Sequence, residues 1–306
     1  MSTPTAIAPA PTDPVRAAVE AGGGRVVDLA DSPDALVWMA PRDDEGLRAA
    51  LSAAPSLRWV QLPFAGIEQF LASDVMRPDL TWTCAKGVYS EPTAEHALAL
   101  ALAGLRRLPE HARATEWGAQ GALTLYDADV VVLGGGGITR ALLDLLSPLR
   151  VQATVVRRDS GTPVPGAART VGLPALDEVV PGARVVFLAL SLTPETRHVI
   201  GAPQLAAMDE DAWLVNVARG GHVDTEALVT ALREKSIGGA ALDVTDPEPL
   251  PAESPLWQLE NCLITPHTAN PWQTAQPLLA ARITENVRRF AAGEELLGRV
   301  DLDAGY

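Results

Sequence analysis

The sequence predicts an α/β protein made of two doubly wound domains, each built around a parallel sheet. Short apolar runs alternate with helix-forming stretches along most of the 306 residues. This alternation is typical of βαβ units stacked around a parallel sheet. The length also allows two domains, because one domain usually contains roughly 100–200 residues.

The first alternation lies before residue 100. A helix is predicted to begin near Asp13-Pro14 and to stop at Gly22, because an N-cap residue followed by proline favours a helix start and glycine favours a helix end. The elements predicted here are helices Val15–Ala21 and Glu45–Ala53 and strands Thr5–Ala8, Arg25–Leu29, Leu36–Met39, Leu57–Gln61 and Thr81–Cys84.

One long helix is predicted from Pro92 to Ala114. Its first half, Ala94–Leu102, consists almost entirely of apolar helix formers. A helix that is apolar on most of its faces is expected to be buried, so we expect this one between two domains or at a subunit interface.

A second alternation begins at Val130. The last predicted helix is long enough to return to the first domain. The elements predicted here are strands Val130–Leu133, Val151–Val156, Val185–Leu190, Trp213–Val217, Gly239–Val244 and Cys262–Thr265, and helices Ile138–Leu146, Pro203–Met208, Thr225–Glu234 and Gln273–Ala292.

Composition excludes several classes of partner. The formal net charge is −14 and Lys and Arg do not cluster, which argues against nucleic acid or an anionic membrane as the partner. The two cysteines, Cys84 and Cys262, have no CxxC neighbour, so we expect neither a metal site nor a disulfide framework. No signal peptide and no apolar run of ~18 residues is evident, so we expect a cytoplasmic protein.

A glycine run follows the strand that ends at Leu133. Gly134 and Gly136 match the first two glycines of G-x-G-x-x-G, whereas Thr139 stands at the third. The first glycine allows a tight turn, and the second allows the backbone to approach a pyrophosphate at a helix N-terminus. A bare match is weak, but the strand before this loop and the helix after it favour a dinucleotide site.

The next strand ends in Arg157 and Arg158. An arginine at this place favours the 2′-phosphate of NADP, whereas an acid would accept hydrogen bonds from the ribose hydroxyl of NAD. We therefore expect NADP to be favoured over NAD. The alternative is a solvated strand end, with Asp159 taking the acid's place.

Three polar residues in the second half suit one reaction. Arg219, Glu248 and His267 offer a cation for a carboxylate, a carboxylate to orient an imidazole, and an imidazole to move a proton. Taken singly, each has a simpler interpretation as a strand cap, a turn residue or a loop histidine. Together with a nucleotide loop, they predict hydride transfer between a nicotinamide and a 2-oxo acid.

The phrases around these three residues resemble those of the D-isomer-specific 2-hydroxyacid dehydrogenases. The similarity extends from about Trp59 to Asn270 with several motifs in the family's order. Three further segments resemble motifs of the family: Phe64-Ala65-Gly66, Ala94-Glu95-His96 and Thr193-Pro194-Glu195-Thr196-Arg197.

The resemblance implies roles for the matched residues. Arg219 would pair with the substrate carboxylate, and the backbone amides near Ala65 and Gly66 would hold its other side. Glu248 would orient His267, which would exchange a proton with the substrate oxygen.

Further site residues are expected around this set. Tyr89 is a candidate for the substrate pocket, with plain packing as the alternative. Asp243 would meet the nicotinamide carboxamide by analogy with the family. The expected cofactor contacts are Gly134, Gly136, Gly137, Ile138, Arg157, Arg158, Leu190, Val217, Ala218, Arg219, Asp243, His267 and Ala269.

The resemblance also implies a Rossmann-type cofactor domain inserted in a flavodoxin-like substrate domain. We assign residues 1–98 and 274–306 to the substrate (catalytic) domain and 99–273 to the dinucleotide-binding domain, with substrate in the cleft between them. We expect an NAD(P)-dependent enzyme, a homodimer, that reduces a small 2-oxo acid such as glyoxylate or hydroxypyruvate to the D-2-hydroxy acid. The chain departs from the family pattern at Thr139, Thr245 and Asn270. Thr139 would cost packing more than cofactor binding, whereas Thr245 and Asn270 border the active site and affect substrate preference, not reaction class.

Two rival functions remain at this point. Transcriptional corepressors of similar fold keep the same residues, so a nucleotide-sensing binding protein is one alternative. A β-hydroxyacid dehydrogenase is the other, but it uses a catalytic lysine, and neither Lys86 nor Lys235 lies in a matching phrase. Of the remaining histidines, we expect His96 to pack or to form local hydrogen bonds in the buried helix, and His111, His198 and His222 to lie at the surface.

Overall fold

A computed structural model of the chain describes residues 2–118 and 120–302. The chain divides into two compact units, Met1–Tyr89 with Pro271–Tyr306, and Ser90–Asn270. Each unit contains one parallel sheet, which confirms the predicted α/β class. Residues 1, 119 and 303–306, which the predicted domains include, lie outside the described part.

The N-terminal part of the first unit forms a five-stranded parallel sheet. Its strand order is β2-β1-β3-β4-β5, the doubly wound order of flavodoxin-like domains. Helix α3 was not predicted. The elements are β1 (Thr3–Ala8), α1 (Asp13–Ala21), β2 (Gly24–Val27), β3 (Ala35–Trp38), α2 (Asp44–Ala53), β4 (Trp59–Gln61), α3 (Glu68–Ala72) and β5 (Thr81–Thr83).

The second unit contains a seven-stranded parallel sheet. Its order is β12-β11-β10-β9-β6-β7-β8, the Rossmann order extended by one strand. The sequence analysis missed α7 and the three-residue edge strand β8. The elements are α4 (Ser90–Leu105), α5 (Leu108–Arg113), β6 (Asp129–Leu133), α6 (Gly137–Leu146), β7 (Gln152–Val156), β8 (Arg169–Val171), α7 (Leu176–Val179), β9 (Val185–Leu188), α8 (Ala202–Ala207), β10 (Trp213–Asn216), α9 (Thr225–Glu234), β11 (Gly239–Leu242) and β12 (Cys262–Ile264).

The prediction of one helix from Pro92 to Ala114 was wrong. Arg107 has a φ of +52° and separates α4 from α5. Pro109 explains the break, because its ring would clash with the carbonyl of Leu105 in a continuous helix. Helix α4 packs whole into the core of the second unit, so the expected domain boundary at 98/99 falls inside it. Among the described residues, no helix is both long and apolar enough to span a membrane.

The C-terminal helix α10 (Trp272–Ala292) packs in the first unit and anchors it through one buried side chain. Asn286 is fully buried and donates to Gln61 Oε1 and to the Leu297 carbonyl, both at 2.9 Å. Its own oxygen accepts from the Leu297 amide at 2.8 Å. Thr83 donates to the same Gln61 oxygen, and Trp59 Nε1 donates to Thr83. The helix is thereby bonded to β4 and β5.

We expect Asn286→Ala to lower the free energy of unfolding of the first unit by about 2–4 kcal/mol, because it removes one hydrogen bond to the buried Gln61 side chain and two to the half-buried backbone of Leu297. Urea unfolding followed by tryptophan fluorescence measures this change, since Trp38, Trp59 and Trp82 are all buried in that unit. Gln273→Ala, an exposed substitution in the same helix, is the control. Equal unfolding curves for the two variants would contradict the anchoring role.

Candidate active site

The glycine run forms the turn between β6 and α6. Gly134 has a φ of +108°, and a Cβ at this position would lie 2.1 Å from the carbonyl oxygen of Ala189. Both the conformation and the space therefore require glycine at the first position. The turn lies at the carboxyl end of a central strand, where doubly wound sheets bind nucleotides.

The second half of this turn has the space that a phosphate group needs. Gly136 is the N-cap of α6, and a Cβ there would meet no atom within 4 Å. Gly137 and Ile138 follow in the first helical turn, whose amides have no intrahelical acceptors. Thr139 fits at the place of the third glycine, because its side chain is buried and its hydroxyl donates to the Gly134 carbonyl at 2.8 Å. The loop therefore fits a dinucleotide.

The two arginines at the end of β7 differ in environment. Arg157 is partly buried and its side chain lies against Gly135, with its guanidinium 4.0 Å from the Asp159 carboxylate. Arg158 is exposed. The pKa of Glu195 lies below its usual range mainly because Thr193 donates a hydrogen bond to it, and the charge of Arg158 contributes to the same shift. Asp159 also accepts from the Gly161 amide at 3.2 Å. The basic strand end thus adjoins the glycine loop.

The turn after β10 is held by buried polar side chains. Asn216 is fully buried, donates to the Arg219 carbonyl at 2.9 Å and accepts from the Ala218 amide at 3.0 Å. The Arg219 guanidinium donates to the Ala218 carbonyl at 2.7 Å. The prediction of a surface His222 was wrong: it is fully buried, with Nδ1 3.0 Å from the Arg219 carbonyl oxygen.

His267 and Glu248 are brought together as predicted. His267 Nδ1 lies 2.8 Å from Glu248 Oε1, and the histidine side chain is 49% exposed. The turn bearing Arg219 adjoins the same region, since a Cβ on Gly220 would lie 2.0 Å from the backbone of Thr245. Arg219, Glu248 and His267 thus come from three loops at the carboxyl edge of one sheet.

Asp243 holds the loop that carries His267. Its Oδ1 accepts from Thr265 Oγ1 at 2.5 Å and from the Thr268 amide at 2.8 Å, while Oδ2 accepts from the Ala269 amide at 3.0 Å. Burial raises the pKa of this carboxyl, but hydrogen bonds from His96, Thr265 and the two amides outweigh burial and lower the pKa. Asp243 is therefore an ionised, buried and hydrogen-bonded group inside the second unit, and its contact with the nicotinamide carboxamide stays a prediction.

The remaining predicted cofactor residues also follow strand ends. Leu190 follows β9, with its Cα 3.1 Å from where a Cβ on Gly134 would lie. Val217 and Ala218 follow β10, and Ala269 lies beyond β12. Their contacts with a cofactor stay predictions. Within the described residues, no group of three or more His, Cys, Asp or Glu side chains is suited to a metal ion.

The predicted substrate residues of the first unit also form one cluster. Ala65 is exposed and Gly66 half-buried in the loop after β4. Tyr89 is buried, donates its hydroxyl to the Pro63 carbonyl at 2.7 Å and packs against the Phe64 ring. Burial raises the pKa of Tyr89. These contacts fix the Tyr89 side chain, and the roles of Ala65, Gly66 and Tyr89 in substrate binding stay predictions.

Three residues that support the site were not identified from the sequence. Asn216 and Thr265 lie inside phrases that the sequence analysis noted, but their roles follow from burial. His96 contacts Thr265 and Asp243 from helix α4. A histidine within an apolar helix was the available signal, and it predicted packing or local hydrogen bonds, whereas the partners lie far away in the chain.

Comparison with known proteins places this geometry in a family. Residues 97–269 match the model of the D-isomer specific 2-hydroxyacid dehydrogenase NAD binding domain. A glyoxylate reductase from Korarchaeum cryptofilum is 31% identical over 88% of this chain and 83% of its own length.

Two solved structures share the fold of the whole chain. A D-isomer specific 2-hydroxyacid dehydrogenase from Xanthobacter autotrophicus, in complex with NADPH and MES, is 31% identical with a TM-score of 0.86 and full coverage of both chains. An NADPH-dependent glyoxylate/hydroxypyruvate reductase from Sinorhizobium meliloti, in complex with NADP and sulfate, is 25% identical with a TM-score of 0.83, also at full coverage of both chains.

We expect alanine substitutions at Gly134 and Gly136 to have different effects, one on stability and the other on NADPH binding. Gly134→Ala should lower the free energy of unfolding by about 2–4 kcal/mol, because a methyl group is incompatible with its φ and with the Ala189 carbonyl. Gly136→Ala should fold normally, because its methyl group meets no protein atom, yet weaken NADPH binding at least about tenfold by occupying the phosphate space.

Thermal unfolding and fluorescence titration with NADPH separate these effects. Gly118→Ala is a matched control for Gly136→Ala, because it also adds a methyl group to open space. Unchanged NADPH affinity in Gly136→Ala would show that the diphosphate does not bind at this helix end.

Proposed function

This chain belongs to the D-isomer specific 2-hydroxyacid dehydrogenase family, and from that premise we propose that it reduces glyoxylate or hydroxypyruvate with NADPH. The reaction class itself follows from the family: the protein is an NAD(P)-dependent oxidoreductase acting on the CH–OH group of 2-hydroxy acids. The substrate, the reducing direction and the choice of NADPH are the parts that we propose. Relatives named as glyoxylate reductases support the substrate.

The hydrogen bond between His267 and Glu248 carries the mechanistic proposal. With Nδ1 held 2.8 Å from the carboxylate, Nε2 is the ring atom left to exchange a proton with substrate. During reduction, Nε2 donates a proton to the carbonyl oxygen, and the bond from Nδ1 to Glu248 keeps the ring oriented. During oxidation, the same nitrogen accepts the hydroxyl proton.

Arg219 is the proposed anchor for the substrate carboxylate. Its guanidinium has a fork of N–H donors, one of which is fixed on the Ala218 carbonyl. The Asn216 side chain donates a hydrogen bond to the Arg219 carbonyl and so fixes the main chain there. A fixed carboxylate places the neighbouring carbonyl of a 2-oxo acid in a defined orientation, which lowers the entropic part of the barrier.

The glycine loop is the proposed holder of the cofactor. The amides of Gly136, Gly137 and Ile138 would bind the diphosphate at the start of α6. A bound nicotinamide supplies the hydride for reduction and accepts it in oxidation.

Preference for NADP is proposed from the end of β7. Arg157 lies against the glycine loop and the next residue, Arg158, is exposed, so the end of β7 carries two cations that suit a 2′-phosphate. Asp159, the acid that would favour NAD, lies 4.0 Å from the Arg157 guanidinium and is held by Gly161. The solved relatives with NADPH or NADP support the same preference.

We also propose that the active form is a cytoplasmic homodimer, with no nucleic acid or membrane partner. Large exposed apolar side chains concentrate between residues 102 and 126, where Trp117 is 94% exposed and Leu108 is 54% exposed. Exposed apolar side chains mark an interface where they form a contiguous patch, and we propose that those of this segment do so. Sedimentation velocity measures this state directly.

The corepressor-like alternative is not favoured. Relatives named as glyoxylate reductases and as a D-3-phosphoglycerate dehydrogenase favour an enzyme over a binding protein. A protein that only sensed nucleotide would bind NADPH without consuming it in the presence of 2-oxo acids.

We expect His267→Ala to lower kcat for glyoxylate or hydroxypyruvate reduction by about 10²–10⁴, the usual contribution of a general acid. NADPH affinity should change little, because the imidazole acts on the substrate oxygen. His111→Ala, at an exposed histidine of α5, is the control and should retain wild-type turnover. Near-normal turnover by His267→Ala would remove the histidine from the mechanism.

We expect the wild-type kcat/KM with NADPH to exceed that with NADH at least about tenfold, a difference of ~1.4 kcal/mol that one charge-assisted hydrogen bond can provide. The double substitution Arg157→Asp with Arg158→Ser should reverse this order, because a carboxylate accepts from the ribose hydroxyl and repels phosphate. Arg169→Ser, an exposed arginine on the adjacent strand, is the control. Equal use of both cofactors by the wild type would reject the arginine site and direct attention to Asp159.

A further inference from the structure

The backbone at His267 is in a conformation that does not form by itself. Its φ is +49°, in the left-handed region that residues with a side chain rarely occupy. Such a conformation persists only where surrounding contacts impose it. The direction of the imidazole therefore depends on what holds the segment around residue 267.

Main-chain hydrogen bonds provide the first part of the restraint. The His267 amide lies 2.9 Å from the Asp243 carbonyl oxygen and 3.0 Å from the Thr265 carbonyl oxygen. Thr265 in turn donates its amide to Leu242. The entry into the loop is thus fixed on the end of β11.

The Asp243 carboxylate provides the second part. It binds the Thr265 hydroxyl before His267 and the amides of Thr268 and Ala269 after it. Because these partners lie on both sides of His267, the carboxylate closes the loop into the left-handed turn.

His96 provides the third part, from a helix more than 160 residues earlier in the chain. Its Nε2 lies 3.1 Å from Thr265 Oγ1 and 3.3 Å from Asp243 Oδ1. The single Thr265 hydroxyl hydrogen is directed to Asp243, and an ionised carboxylate only accepts, so Nε2 must carry a hydrogen. His96 is therefore a donor to both groups that close the loop.

We propose that His96 is a positioning residue for His267, acting through the hydroxyl of Thr265 and the carboxylate of Asp243. The proposal rests on the proposed function, in which His267 transfers the proton. Without the His96 donor, the Thr265 hydroxyl and the Asp243 carboxylate each lose a hydrogen-bond partner. The loop then relaxes, and the hydrogen bond from His267 to Glu248 is no longer maintained.

Two substitutions of His96 separate donation from packing. His96→Gln keeps an N–H donor at about the reach of Nε2, whereas His96→Leu keeps bulk without a donor. Thr265→Val removes the intermediate hydroxyl at nearly constant shape. Leu100→Ala is the control for simple loss of packing, because Leu100 is a buried core residue of the same helix with no part in this network.

Steady-state kinetics with the full-length protein give the first test. His96→Leu and Thr265→Val should each lower kcat roughly 10–100-fold, with less than about a threefold change in KM for the 2-oxo acid or in the Kd of NADPH. His96→Gln should restore kcat to within about threefold of wild type, and Leu100→Ala should lower Tm but leave kcat unchanged. Wild-type kcat in Thr265→Val would overturn the proposal even if His96→Leu does not fold. Where both His96 variants fold, equal losses of kcat in His96→Gln and His96→Leu would also overturn it.

The ring nitrogens of His267 give a second test that needs no turnover. Their ¹⁵N chemical shifts, correlated to the carbon-bound ring protons and assigned with His267→Gln, report the hydrogen bond to Glu248. These shifts should match wild type in His96→Gln and change in His96→Leu and Thr265→Val. If no 2-oxo acid is reduced, the proposed function fails, yet unchanged shifts in all variants would still reject the positioning role.

Discussion

The parallel direction of the strands in the second unit is the constraint on which the site depends. Because neighbouring strands run the same way, all their carboxyl ends lie along one edge of the sheet. The glycine loop leaves β6 at this edge, the arginines leave β7, and the turn of Arg219 leaves β10. Residues that are more than a hundred positions apart in the sequence therefore lie along the same edge of the sheet.

The buried carboxylate of Asp243 holds together several polar groups of the second unit. A buried carboxylate is unfavourable unless donors surround it, and Asp243 is surrounded by a hydroxyl, two amides and an imidazole. These donors belong to the loop of His267 and to α4. The hydrogen bonds that satisfy the charge of Asp243 are therefore the same ones that shape the loop. Through them the buried Asp243 is connected directly to His267, the proton-transfer group.

Most of the fold and the proton-transfer pair could be predicted from local pattern. The strands of both sheets are apolar runs with few alternatives, and the phrases around Arg219, Glu248 and His267 are specific enough to name the reaction class. The short edge strand β8 escaped because three half-buried residues carry little pattern. The end of α4 was not predicted, because the apolar helix-forming composition favoured a continuous helix. Pro109 ends that helix, and Arg107, two residues earlier, has a left-handed backbone conformation.

The sequence by itself determined the two parallel sheets, the glycine requirement at the turn and the pair of His267 with Glu248, because strand periodicity and short motifs are local properties of the chain. Only the tertiary structure decided that His222 is buried, that the Tyr89 hydroxyl donates to the Pro63 carbonyl, and that His96 reaches Asp243 and Thr265. Burial and hydrogen-bond partners depend on which distant segments pack together. A histidine on an apolar helix has the same local appearance whether it fills space or donates to a carboxylate that arrives from another strand.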